Sequence, residues 1–257
     1  MALYSRIISA LRASAYHFLV SVLLAGLAAI LVFKLWYPWP FYKMVSGREL
    51  FWLVVSVDVI CGPLLTLVIW NPIKPRKELV QDLTMVACIQ IAALLYGIST
   101  VAAARPVHIV FEVDRFRLVT ASEIDPIDLR DAPANFQQLA WLGPTLIGVR
   151  TPKDGVELLK SVDMSMAGKD PSLRPGWWQA YSLSFPEALK RARSLTVLFE
   201  TYPAKKLELD EAVQETGMSE ADLLWLPLTS ARDMDWIVLL DKKTGQPCSY
   251  AHIDGFF

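Results

Sequence analysis

Few residues in this chain have the type and spacing that chemistry requires. Asp58 is the most informative, because it is the only charge in the apolar run from Leu50 to Trp70. A carboxylate in hydrocarbon costs roughly 2.5–3.5 kcal/mol on insertion scales, so it is expected to face a helix-bundle interior or to hold a proton. Its chemistry is then hydrogen bonding to a neighbouring helix. The three histidines, His17, His108 and His252, have no zinc-binding spacing, and the three cysteines form no Cys-x-x-Cys pair. His108 and His252 fall on two terminal hairpins, where strand alternation favours structural roles. Asp233-Met-Asp235 has the spacing of metal-binding carboxylates in some glycosyltransferases, but it is a common tripeptide. With no G-x-S-x-G elbow, P-loop or G-x-G-x-x-G, the chain is not expected to be an enzyme, and no cofactor, metal or catalytic residue is assigned.

The elements that must position Asp58 are membrane helices. The chain has 257 residues, is 54% hydrophobic and has a net charge of −1. That charge is the sum of two unlike parts. Residues 1–104 carry 8 Lys and Arg against 4 Asp and Glu, and residues 105–257 carry 17 against 22. The near-neutral balance excludes a nucleic-acid binder. Three apolar runs, about 16–37, 50–70 and 83–104, each reach the roughly 20 residues that span a bilayer.

Arg6 and Arg12 precede the first run, and Lys74, Arg76 and Lys77 fill the connection between the second and third. The positive-inside rule therefore puts the N-terminus in the cytoplasm and residues 105–257 outside. Trp36, Tyr37, Trp39, Phe41 and Tyr42 form an outer aromatic belt. The bulky residues there offer no signal-peptidase site, so the first span is expected to be retained.

Gly62-Pro63 removes a backbone donor inside the second span and is expected to kink it. Counting from the outer helix ends at about 1.5 Å per residue puts Asp58 level with Tyr96, with Gln90 deeper on the same seam. Asp58, Gln90 and Tyr96 are thus a candidate polar seam, acting as a structural lock or as a grip for a partner helix. Ser21, Ala25 and Ala29 in the first span, and Ala93 and Gly97 in the third, offer small-residue faces for close helix approach.

Residues 105–257 read as a small α+β domain. Val107–Val113 and Phe116–Thr120 form a hairpin around Asp114-Arg115, and Trp236–Leu240 and Cys248–Ile253 form a second around residues 241–245. One sheet is expected to combine the two. Between them, 134–142 and 153–166 are predicted helices, 146–150 a strand, and 168–176 a linker-like loop. A helix capped by Ser184, with Pro186 in its first turn, is predicted to run to Tyr202. Further helices are predicted at 210–216 and from Ser219 through Leu224.

With these elements placed, the chain resembles the type IV pilin accessory proteins, the TfpX/TfpZ or FimB-like group. The matching residues are Tyr37-Pro38-Trp39-Pro40-Phe41, then Val57-Asp58-Val59-Ile60-Cys61-Gly62-Pro63-Leu64-Leu65-Thr66-Leu67. Asp82, Gln90, Arg105-Pro106, Asp114-Arg115-Phe116 and Trp225-Leu226-Pro227-Leu228 follow at matching intervals, so the resemblance covers nearly the whole chain. Cys61 stands where an aliphatic residue is expected. The resemblance implies an accessory factor in the inner membrane of a Gram-negative cell, with residues 105–257 in the periplasm. It implies the major type IV pilin as partner, with other pilus assembly proteins, the lipid bilayer and no nucleic acid. Two alternatives are a membrane-anchored group transferase that modifies pilin, and a periplasmic sensor of pilin.

Overall fold

The computed structural model describes residues 2–45 and 47–257. They form two units, Met1–Ala104 and Arg105–Phe257. In the first, α1 (Ala2–Ile30) continues into a π-helical segment, Leu31–Trp36. A short α2 (Phe41–Met44) leads to α3 (Gly47–Ser56), a second π segment (Val57–Cys61), α4 (Gly62–Ile69) and the long α5 (Arg76–Ala103). Three continuous helices, Tyr4–Trp36, Gly47–Ile69 and Arg76–Ala103, are long and apolar enough to cross a membrane. The first and third start well before the apolar runs, because helix geometry carries on through the flanking polar turns.

Side chains fasten these helices together. Tyr37, fully buried, donates its hydroxyl to the Val101 carbonyl at 2.7 Å. Phe33 packs edge-on against Tyr42 and Phe51, so part of the aromatic belt is a packed cluster. Lys74 pairs with Asp82 at 2.7 Å at the opposite end of the bundle.

Gly97 of α5 lets α3 approach closely. A Cβ added there would lie 2.4 and 2.5 Å from the two methyls of Val54 and 3.0 Å from its Cβ. Valine in a helix has essentially one rotamer, so the helices themselves must separate. Gly97→Ala is expected to destabilise the bundle by about 1–3 kcal/mol. A thermal melt of the detergent-solubilised protein should show a lower midpoint; an unchanged midpoint would contradict the close contact.

The second unit is built on an eight-stranded mixed sheet. Its strands are β1 (Pro106–Glu112), β2 (Arg115–Thr120), β3 (Thr145–Val149), β4 (Trp178–Ala180), β5 (Arg193–Ser194), β6 (Leu223–Thr229), β7 (Trp236–Asp241) and β8 (Pro247–Ala251). The order is β4-β3-β1-β2-β6-β7-β8, with β5 also on β6. The two predicted hairpins thus share one sheet, and β6 joins them by pairing parallel to β2 and antiparallel to β7. The first hairpin turns at Val113-Asp114, one residue earlier than predicted, and Val113 has a φ of 51°.

Trp225-Leu226-Pro227-Leu228 is therefore an interior strand, and the predicted helix from Ser219 shrinks to a single turn, Glu220–Asp222. Proline normally argues against such a strand. One edge of β6 pairs with β5 at Leu224 and Trp225 and with β2 at Leu228 and Thr229. Pro227, which has no amide hydrogen to give, falls in the gap between them.

The helix predicted to reach Tyr202 is two helices, α7 (Tyr181–Arg191) and α8 (Leu195–Thr201), split where Arg193–Ser194 joins the sheet. Ser184 lies inside α7, and Gln179 donates to its hydroxyl at 2.9 Å, so Pro186 is an interior residue. The stretch 134–142 contains only one helical turn, Ala134–Phe136. Helix α9 (Lys206–Thr216) starts before the predicted 210 and ends at left-handed Gly217. It packs with α8 on one sheet face around Leu198, Leu209, Trp225 and Leu239.

The remaining helix, α6 (Gly155–Met166), is fixed to the unit through polar groups. Arg150 grips Glu157 with two hydrogen bonds of 2.7 and 2.9 Å. With the Lys153 amide these bonds hold the Glu157 carboxyl down at about 2. Arg174, only 3% exposed, donates to the Ser161 hydroxyl at 2.6 Å, the Ser161 carbonyl at 2.8 Å, the Ser165 hydroxyl at 2.9 Å and the Lys169 carbonyl at 2.6 Å. Arg150 and Arg174 both stack on the Trp177 ring. Residues 168–176 are thus no linker. Ser172, Leu173 and Arg174 are buried, and the Ser172 amide donates to the buried Glu112 at 2.8 Å.

Candidate functional site

The site that the geometry singles out is the polar seam in the membrane unit. It originates at Pro63. A π segment places each carbonyl opposite the amide five residues on. Continuing that pattern pairs the Asp58 carbonyl with residue 63, a proline, which has no N–H. The carbonyl is left open inside apolar surroundings, where an unpaired acceptor is costly.

Gln90 of α5 fills the gap. Its amide nitrogen donates to the Asp58 carbonyl at 3.2 Å. It can reach because residue 62 is glycine: a Cβ there would lie 2.0 Å from the Gln90 amide nitrogen. Gly62, Pro63 and Gln90 thus act as one unit. Proline frees the carbonyl, glycine clears the approach and glutamine supplies the donor. A π segment, Val57–Cys61, lies just before Gly62.

Two clefts meet at Asp58. One, about 180 Å³, is lined by His17, Ser21, Ala25, Asp58, Gln90 and Leu94. The other, about 190 Å³, is lined by Leu53, Val57, Asp58, Ala93, Tyr96 and Gly97. Both are almost wholly apolar apart from these few groups. Within them Asp58 Oδ1 and Gln90 Oε1 are enclosed and have no hydrogen-bond partner among the described residues. Tyr96 shares the second cleft with Asp58 but is 76% exposed, and its carbonyl accepts from Ser99 and Thr100.

His17 and Thr66 also belong to this seam, beyond the residues expected from the sequence. His17 Nδ1 lies 2.5 Å from the Thr66 hydroxyl, and Ser14 donates to the Pro63 carbonyl at 2.8 Å. The signal was available in principle, since Ser14, His17 and Ser21 recur at helical spacing and mark one polar stripe on α1.

The other singled-out residues are elsewhere. Pro38 and Pro40 lie in the turn before α2, and Phe41 opens α2 and is buried. Arg105, next to Pro106 at the start of β1, donates to the Ala140 carbonyl at 3.2 Å and stacks on Trp141. Asp114 lies in the hairpin turn and Arg115 opens β2, 3.8 Å from Glu112, and Phe116 is buried against Phe111 and Tyr181. Asp233 shapes its own turn, accepting from the Asp235 amide and the Trp236 indole. Among the described residues no cluster of His, Cys, Asp or Glu is arranged to hold a metal. His108 sits beside Thr145 and Trp178, while His252 sits beside Trp236 and Asp233.

Residues 5–47 match the family model described as fimbrial assembly protein FimB. Over 239 residues the chain is 37% identical to the fimbrial assembly protein, serogroup I, of Dichelobacter nodosus, covering 93% of each chain. It is 36% identical over the same length to the serogroup E1 protein of that organism. To the protein of serogroups C1 and C2 it is 41% identical over 119 residues, 46% of this chain and 91% of that one. No solved structure matches it.

Proposed function

Since the chain belongs to the family of fimbrial assembly proteins, we propose that it is an inner-membrane accessory factor that binds the major pilin and supports its assembly into pili. In this reading the N-terminus is cytoplasmic and residues 105–257 are periplasmic. The seam is where the bundle engages the membrane helix of the pilin. The observation that carries the reading is the pair of enclosed oxygens, Asp58 Oδ1 and Gln90 Oε1, at the junction of two apolar clefts. A single-span helix with a hydrogen-bond donor at that depth satisfies them, and a lipid tail does not.

Deleting the gene and measuring both surface pili and pilin mass tests the function. Loss of pili with unchanged pilin mass supports an assembly role, whereas a pilin mass that depends on the gene points to a modifying enzyme. For the seam, Asp58→Asn keeps a hydrogen-bonding group and is expected to retain at least half of normal piliation. Asp58→Leu is expected to reduce it tenfold or more. Full piliation with Asp58→Leu at normal membrane levels would remove the seam from the function.

A further inference from the structure

Helix α6 is inside out. The face turned into the unit carries Glu157, Ser161 and Ser165, bound by Arg150 and Arg174. The face turned to solvent carries Val156, Leu158, Leu159, Val162 and Met166, of which Val156 and Met166 are 78% and 77% exposed. In an ordinary surface helix the two faces are exchanged. The helix cannot roll to bury its apolar side, because rolling strips a buried guanidinium of its acceptors on α6. The outward apolar face is therefore built in.

We infer that the exposed face of α6 is a docking surface for an apolar segment of the pilin head outside the membrane, one that carries a basic side chain to meet Asp163. This rests on the function proposed above and adds a second point of engagement outside the bilayer. Three features select this occupant. Lipid is disfavoured because Asp163, exposed, borders the apolar face and α6 carries Glu157 and Asp163 against the single cation Lys160, whereas helices that lie on membranes are rich in Lys and Arg. The unit as a whole, with 17 basic and 22 acidic residues, is repelled by anionic headgroups. A second copy is disfavoured by area. Five such side chains present on the order of 500 Å² per partner, below what a stable dimer buries and within the range of transient encounters. Transient binding is what a factor that holds and then releases a subunit needs.

The test uses the full chain in cells. Leu159→Asp combined with Val162→Asp alters only outward positions, so the protein is expected to accumulate normally while piliation falls at least tenfold. A photocrosslinker at Leu159 is expected to give a pilin adduct that Asp163→Lys weakens several-fold. Normal piliation with the double variant at wild-type levels overturns the proposal, as does an adduct only to lipid or only to a second copy. If the double variant fails to accumulate, the crosslink at Leu159 alone decides: a pilin adduct sustains the proposal and its absence overturns it. Normal piliation on gene deletion would instead remove the functional reading on which it rests.

Discussion

Replacing Arg174 by methionine is expected to destabilise the extramembrane unit by about 3–5 kcal/mol, since each buried polar group left unpaired costs roughly 1–3 kcal/mol. Methionine keeps most of the volume, so the loss comes from the polar and cationic contacts and not from a cavity. The substitution strips the Ser161 and Ser165 hydroxyls and the Lys169 carbonyl of their guanidinium donor, takes from the Ser161 carbonyl its donor beyond the helix, and removes one of the two guanidinium groups stacked on Trp177. Denaturant unfolding followed by tryptophan emission reads the change. Ser165→Ala, which removes one acceptor, is expected to cost about 1 kcal/mol. Equal, small effects for both would mean that Arg174 does not anchor α6.

The second large effect concerns pH. His108 is buried against Trp178, and burial pushes its pKa down to about 4. The unfolded ring titrates near 6.5, so between pH 6.5 and 4 the unfolded chain takes a proton that the folded one refuses. Stability from this group is complete above pH 6.5 and falls as pH drops, by about 3 kcal/mol in all. Glu112 works in the opposite sense. Burial raises its carboxyl above the usual range, so its contribution is present at low pH and is lost as pH rises through the folded value. The clean measurement is therefore a difference. Wild type should lose stability on acidification more steeply than His108→Gln, by up to about 3 kcal/mol at pH 4. Parallel profiles would show that the ring is not held neutral.

Much of the architecture was legible because it rests on local rules. Long apolar runs gave the three helices able to cross a membrane, and alternation with turn residues gave both hairpins. What escaped was set by distant partners. Pro227 reads as a strand breaker until the register reveals a gap between β5 and β2. Residues 168–176 read as a linker because they begin and end in glycine and hold two prolines. They are held in place by Glu112, 60 residues earlier in the chain, and by the buried Arg174. The site was legible in part for the same reason. An acid in an apolar run and a Gly-Pro pair are visible one residue at a time. The link between them is the missing amide at residue 63, answered by Gln90, and it appears only once the helix is known to widen into a π turn.

That link also constrains the order in which the protein is made. Spans enter a membrane in sequence, and Gln90 follows Asp58 by 32 residues. The second helix therefore spends part of its synthesis with an open carbonyl that nothing in its own backbone can close. The bundle is finished only when the third helix arrives, so a chain truncated before Gln90 lacks the donor that closes the Asp58 carbonyl.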